Sequence, residues 1–350
     1  MADAPDPLRA IESPPPQVSV EAISRLVDEQ YGLRGCLVML VSERDQNLRL
    51  TTDNQHRYVI KIANAAEEES ITDFQIQALQ HIERNGCRIA VPRVIPTRTG
   101  ATATAVTSGG NTHIMRVVSY LPGRPLEQIT LDTDIARQLG CCLADIGIAL
   151  RGFRHPGDSH SLLWDIRHAG ELRNLTSHIS NGELRGVIHD CLDDFQDRVV
   201  SQLAVLRSQV IHNDLNPGNV LVTENGRASI TGVIDFGDMI RAPLIIDVAV
   251  AASYMRSDDD AIALLVSLVA GYDEVTRLEE LELELLYDLV RTRLATSITI
   301  LHWRSSTRAA DDAYTINSLQ GRASASRFLA RINALSRNEF TDRIRLRSGR

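Results

Sequence analysis

Lysine is almost absent from this 350-residue chain: of its 37 basic side chains, all but Lys61 are arginine. A coding bias towards arginine accounts for the composition as a whole but not for the exception, and an ammonium has chemical uses that a guanidinium cannot fill. A basic excess is also lacking. Acidic residues number 45 and the net charge is −8, which argues against a nucleic-acid binder or an anionic-membrane binder. The five cysteines (Cys36, Cys87, Cys141, Cys142 and Cys191) contain no C-x-x-C spacing, so neither a zinc site nor a disulfide framework is indicated, and a reducing compartment fits. Long apolar runs are missing too. The longest, Ala261 to Tyr272, is interrupted by Ser267 and Gly271 and falls short of the ~20 residues of a membrane-spanning helix. The start of the chain, through Pro14-Pro15-Pro16, is polar and proline-rich and reads as a disordered lead-in rather than a secretory signal. The expected location is the cytoplasm.

What is present changes character along the chain. The first third reads as strands with one helix. Cys36 to Leu40 and Arg57 to Ile62 are apolar runs of strand length, His113 to Ser119 is a third, and Ile71, Phe74, Ala78, Leu79 and Ile82 recur at helical spacing before Gly86. Tyr120 to Pro125 is a turn-rich connector. Beyond it the pattern is helical: Ile135 to Leu150, Leu184 to Val199, Leu244 to about Arg304, and about Ala309 to Leu335. One short hairpin, Val220-Leu221-Val222 and Ser229 to Ile234 joined through Asn225-Gly226, interrupts the helices. The basic end, Arg343 to Arg347, reads as a mobile, solvated tail.

The hairpin is flanked by polar residues in a telling order. His212-Asn213-Asp214-Leu215-Asn216-Pro217-Gly218-Asn219 leads into its first strand, and Asp235-Phe236-Gly237-Asp238 follows its second. A carboxylate and a carboxamide thus share a tight loop, with a second carboxylate at the hairpin's end. Phosphoryl transfer needs such a set: divalent metal to offset charge, and a carboxylate to orient the incoming hydroxyl. Magnesium takes hard oxygen ligands of this kind.

H-x-D-x-x-x-x-N followed at hairpin distance by D-F-G resembles the kinase-like phosphotransferases of the aminoglycoside phosphotransferase and choline kinase superfamily. Ser42 to Asn47, Val59-Ile60-Lys61-Ile62, Phe236 to Met239 and Arg291 to Arg304 look like its hydroxylysine kinase branch, which includes phosphotransferase domains fused to aminotransferases. The resemblance covers roughly residues 20 to 335. It implies an α+β, two-lobed protein-kinase-like fold with a small antiparallel-sheet N-lobe and a mostly helical C-lobe. The expected boundaries are a disordered segment 1–17, a nucleotide-binding lobe 18–118, a hinge 119–124, a helical catalytic and substrate lobe 125–340 and a basic tail 341–350. A nucleoside triphosphate, ATP or GTP, would lie between the lobes.

By position, the resemblance makes Asp214 the catalytic aspartate, Asn219 and Asp235 the Mg2+ ligands, Lys61 the contact to the α- and β-phosphates, and His212 a structural brace. Strand alternation places Lys61 and Val59 on one face. Ser42, Gln46 and Asn47 would cover the phosphates in place of the glycine-rich loop, which this chain lacks. Met115, Ser119 and Leu121 would meet the base. Glu69, Asp73 and Gln75 are the candidates to face Lys61, with Asp73 preferred. Asp247, just inside a helix, reads as a brace for the catalytic loop. Trp164, Asp165, Asp238, Arg241, Tyr254, Trp303 and Arg304 are substrate candidates.

The long activation segment and A-P-E of protein kinases are missing after Asp235, which suits a small acceptor. The implied reaction is Mg2+-dependent transfer of the γ-phosphate to a hydroxyl of a small amino alcohol or hydroxy amino acid, with hydroxylysine the leading acceptor. The alternatives are an aminoglycoside, homoserine or choline-like acceptor, and a non-catalytic nucleotide-binding regulatory protein. The oligomeric state is left open.

Overall fold

The structure, a computed structural model, describes residues 13–42, 44–257, 260–307 and 313–350, with backbone alone at 307 and 313–320. The chain divides into two units: residues up to Pro122 together with Phe153–Leu163, and Gly123–Gly152 together with Trp164–Arg350. The change of unit at Pro122 and Gly123 falls inside the expected connector. The return of 153–163 to the first unit was not expected, and its cause is local. Phe153 stacks on Phe74 with ring centroids 5.8 Å apart, and His155 Nε2 meets Asp73 Oδ2 at 3.0 Å.

In the first unit, helix α1 (Val20–Tyr31) is capped by Ser19, whose side chain accepts from the Ala22 N–H. Strands β1 (Gly35–Leu40), β2 (Gln46–Thr52) and β3 (Arg57–Ile62) precede helix α2 (Glu69–Asn85), and β4 (Val94–Ile95), β5 (Thr104–Ser108) and β6 (Asn111–Ser119) follow it. The antiparallel sheet runs β1-β2-β3-β6-β4, with β5 also on β6. One face is apolar. Leu48, Leu50, Ile60, Ile62, Met115 and Val117 pack with Ile23, Val27 and Tyr31 of α1, and fully burying each such side chain contributes about 1.5–3 kcal/mol.

Residues 13–17 are held rather than disordered. Pro16 is buried, Asn64 Nδ2 donates to the carbonyls of Ser13 and Pro14, and Ser108 Oγ donates to that of Gln17. Residues 1–12 of the expected lead-in lie outside the described residues.

The second unit begins with β7 (Arg124–Pro125) and α3 (Thr133–Ala149), followed by short 3-10 turns over Ile166–His178 and α4 (Gly182–Asp194). Strands β8 (Ser208–Ile211), β9 (Val220–Val222), β10 (Ile230–Val233) and β11 (Ile240–Pro243) then lead to α5 (Leu244–Ala252), α6 (Ala261–Val275), α7 (Glu280–Thr307), α8 (Ala313–Asn333) and α9 (Arg337–Ser348). The expected hairpin forms, β9 pairing with β10 and β7. A second pair, β8 with β11, brackets it. Helices α3 and α6 approach backbone to backbone because Gly140 and Gly271 face them: an added Cβ would stand 1.9 Å from the Leu268 carbonyl oxygen at one and 2.0 Å from that of Arg137 at the other.

The basic tail is a correction. It belongs to α9, whose Ser336 and Glu339 form a reciprocal capping box and whose Phe340 and Ile344 are fully buried. Arg337 ties the helix start to Asp288 and Asp194. Among the described residues, no helix is long and apolar enough to cross a membrane.

Candidate active site

The loop of residues 212–219 runs from β8 of one strand pair to β9 of the other. Its shape is imposed by side chains on main chain. Asp247, in the first turn of α5, accepts the N–H groups of His212 at 3.1 Å and Asn213 at 2.7 Å. Burial pushes the Asp247 carboxyl up to about 7, and those two N–H groups work against the rise. Asp247 is therefore the expected brace.

His212 is fully buried, and desolvation lowers its pKa to about 4, so the ring is neutral. Its Nδ1 accepts the Asp214 N–H at 3.2 Å, which places the proton on Nε2, facing the Ile234 carbonyl at 3.3 Å. The ring thus links the 212–219 loop to the strand end before Asp235. Phe236 packs edge-on against it, centroids 4.8 Å apart. Both turns use left-handed backbone at non-glycine positions, Asn213 (φ 63°) and Asp235 (φ 60°). Such conformations cost about 1–3 kcal/mol and persist where surroundings over-determine them.

Asp214 is half-buried. Asn216 Nδ2 donates to both its carboxylate oxygens, at 3.1 and 3.0 Å, and Asn219 Nδ2 donates to its Oδ2 at 2.7 Å and its carbonyl at 2.9 Å. Desolvation and the neighbouring Asp238 raise its pKa well above the carboxylate range, while Asn216 and Arg293 oppose them. A carboxylate held this way is suited to accept a hydroxyl proton. Because the Asn219 amide nitrogen is committed to Asp214, its oxygen is the end available for coordination. Asp235 is exposed at the turn beside it, and Ile234 N–H to Asn219 carbonyl, 2.9 Å, joins the two segments. One carboxamide oxygen and one carboxylate make a hard donor set that fits magnesium.

The substrate candidates divide. Asp238 stands in the field of Asp214. Trp164 carries the guanidinium of Arg304 over its ring, Tyr254 that of Arg256, and Trp303 is buried. Arg241 is half-buried, its carbonyl accepting from Arg167. Asp165 is a correction. Its fully buried carboxylate is chelated by the Arg167 guanidinium and caps the Arg167 N–H, so its role is structural.

In the first unit, β-register sorts the nucleotide candidates. Lys61 lies opposite Asn47 on one side and Arg116 on the other, so these three share a sheet face with Val59. Gln46 and Met115 are corrections, because both lie opposite Ile62 and so belong to the α1 face. Met115 is fully buried in that core, and Gln46 exchanges two 2.8 Å hydrogen bonds with the Val18 backbone. Ser42 is half-buried in the β1–β2 turn. Asn64 secures this glycine-free turn: its Nδ2 donates to the Arg44 carbonyl and its N–H to Asp45.

Ser119 binds Arg93 through both its N–H and its hydroxyl, and Leu121 is half-buried in the connector. The preferred partner of Lys61, Asp73, is instead bonded to His155 and Gln77. Gln75 accepts from Arg116, and Glu69 is exposed.

Sequence reasoning missed Asn216, Asn64, Arg116, Arg256 and Arg293. Asn216 stood inside the quoted loop. Arg293 lay within the quoted stretch Arg291 to Arg304, where it is a charge in an otherwise apolar part of the helix.

Comparison with known proteins agrees with this geometry. The pattern of the family described as "Phosphotransferase enzyme family" matches residues 40–282. The chain belongs to that family. It is similar to hydroxylysine kinase of Mus musculus, 26% identical over 302 residues covering 79% of this chain and 80% of that one. Against hydroxylysine kinase of Danio rerio it is 25% identical over 344 residues, 94% and 95% of the two chains. Among solved structures, a microcompartment-associated aminopropanol kinase superposes with a TM-score of 0.65 at 18% identity, covering 90% of this chain and 98% of that one. A spectinomycin phosphotransferase in complex with ADP and spectinomycin does so at 0.63 and 13%, covering 91% and 100%. The fold is kinase-like, and the protein is a phosphotransferase acting on an alcohol group of a small molecule.

Proposed function

We propose that the enzyme transfers the γ-phosphate of a nucleoside triphosphate, with Mg2+, to the hydroxyl of hydroxylysine. The similarity to hydroxylysine kinases over 79% and 94% of the chain supports the choice of acceptor. Asp214 takes the hydroxyl proton as the oxygen forms its bond to the γ-phosphorus. The bond to the bridging oxygen breaks, and the nucleoside diphosphate leaves. Asn219 and Asp235 hold the magnesium, which when bound offsets phosphate charge. Lys61 supplies an ammonium to the α- and β-phosphates, with Asn47 beside it.

A coupled assay with ATP and GTP over hydroxylysine, homoserine, choline, aminopropanol and an aminoglycoside tests this reading. Hydroxylysine is expected to give the highest kcat/KM. A higher value for another acceptor overturns the choice of substrate, and magnesium-dependent nucleotide binding without transfer to any of them overturns the reading altogether.

A further inference from the structure

The second unit gathers three guanidiniums, two of them buried and that of Arg256 on a half-buried residue, around two aromatic rings. Arg293 and Arg304 of α7 are 2% and 1% exposed, and their guanidinium carbons lie 5.3 and 5.2 Å from the centre of the Trp164 ring. Eleven residues are close to three helical turns, so both arise from one side of α7. Arg256, which follows α5, lies 4.9 Å from the Tyr254 ring centre and is near enough to Arg293 for their charges to oppose each other.

Main-chain carbonyls satisfy part of this cluster. Arg293 Nη1 donates to Trp164 at 2.8 Å, and Arg256 donates to Ser253 at 2.7 Å and Gly321 at 3.2 Å. Among the described residues, neither Arg293 nor Arg256 has a carboxylate as an ion-pair partner. Arg293 Nε, Arg256 Nη2 and Thr296 Oγ1 are buried without a hydrogen-bond partner among the described residues. Arg291, two residues before Arg293, shows how a structural arginine of this helix is treated: it pairs with Asp194 and Asp288. A buried charge without its counter-charge is costly to the fold, and such costs are retained where a ligand completes the pairing. The carboxylate within reach of Arg293's field is the catalytic one, Asp214.

We propose that Arg293 and Arg256, with Thr296 and the Trp164 ring beside them, bind the carboxylate of the acceptor, so that the enzyme selects hydroxy amino acids over amino alcohols. A guanidinium fork matches a carboxylate in geometry and charge. The inference rests on the reading that Asp214 receives the acceptor hydroxyl.

The test compares 5-hydroxylysine with its carboxamide and with the decarboxylated diamine, in wild type and in Arg256→Gln and Arg293→Gln. In wild type the acid should exceed both analogues in kcat/KM by about tenfold or more, the range expected for a charge-assisted hydrogen bond. Each variant should abolish the preference for the acid over the amide and leave the nucleotide KM unchanged; Arg293→Gln also removes a charge that acts on Asp214, so its kcat changes for acid and amide alike. Equal use of acid and amide by wild type overturns the inference, as does an acid preference that survives in both variants, which would mean packing alone. A rise in nucleotide KM with the acid preference intact would assign the arginines to phosphate instead. If Arg293→Gln does not fold, Arg256→Gln and the wild-type comparison decide. If wild type phosphorylates none of the three compounds, the acceptor reading has failed, and homoserine against its amide then tests the arginine cluster.

Discussion

The two units secure their key charges in opposite ways. In the first, Lys61 is placed by strand register, opposite Asn47 and Arg116 on a regular sheet. In the second, Asp214 sits on irregular backbone that side chains hold in shape, with buried Asp247 and His212 and half-buried Asn219 each bonded to main chain. A sheet tolerates the loss of one side chain because the ladder persists. A loop built on side-chain braces does not, since losing one leaves buried N–H groups without partners.

Asp247→Ala should therefore have the largest effect on the protein as a whole. Two buried N–H groups lose their acceptor, and we expect a loss of about 2–5 kcal/mol in stability together with a fall in kcat, read by urea unfolding and steady-state rates. Lys61→Ala should raise the nucleotide KM by about tenfold or more, the scale of a charged hydrogen bond, with thermal stability unchanged. A parallel loss of stability would show that the ammonium also holds the sheet.

The braces also imply a pH signature. The folded Asp247 pKa of about 7 lies above its unfolded value, so between pH ~4 and 7 the folded state binds more protons and stability falls as pH rises. His212, near 4 when folded against 6.5 unfolded, acts in the other direction over pH ~4 to 6.5. The two slopes oppose each other in wild type. Asp247→Asn leaves that of His212, so the variant should gain stability with pH by up to about 1.4 kcal/mol per pH unit more than wild type, as unfolding midpoints from pH 4 to 6.5 would show. The smallest effect on the reaction is expected for Gln46→Leu, which loses the bonds to Val18 at a cost of about 1–3 kcal/mol in stability without altering the nucleotide KM. A raised KM would return Gln46 to the nucleotide site.

How much of this was legible in sequence follows the same division. Asp214, Asn219, Asp235 and His212 lie within a short stretch, so their spacing alone implied their grouping. Gln46 and Met115 were read on the wrong face because a face is decided by which residue sits across the ladder, and Ile62 is distant in sequence from Met115. Asp73 was drawn to His155 by the return of 153–163 to the first unit, a long-range event without a local sign. Helix α9, by contrast, was announced by Ser336 and Glu339 at capping-box spacing, outweighed in the reading by the arginines around it.

The account turns on Asp214 as the group that receives the hydroxyl proton. The most direct measurement is the turnover of Asp214→Ala with hydroxylysine and magnesium nucleotide, alongside its affinity for the nucleotide. We predict a fall in kcat of about 10²–10⁴-fold, the range for a lost general base, with nucleotide affinity unchanged. Turnover near that of wild type would contradict the account.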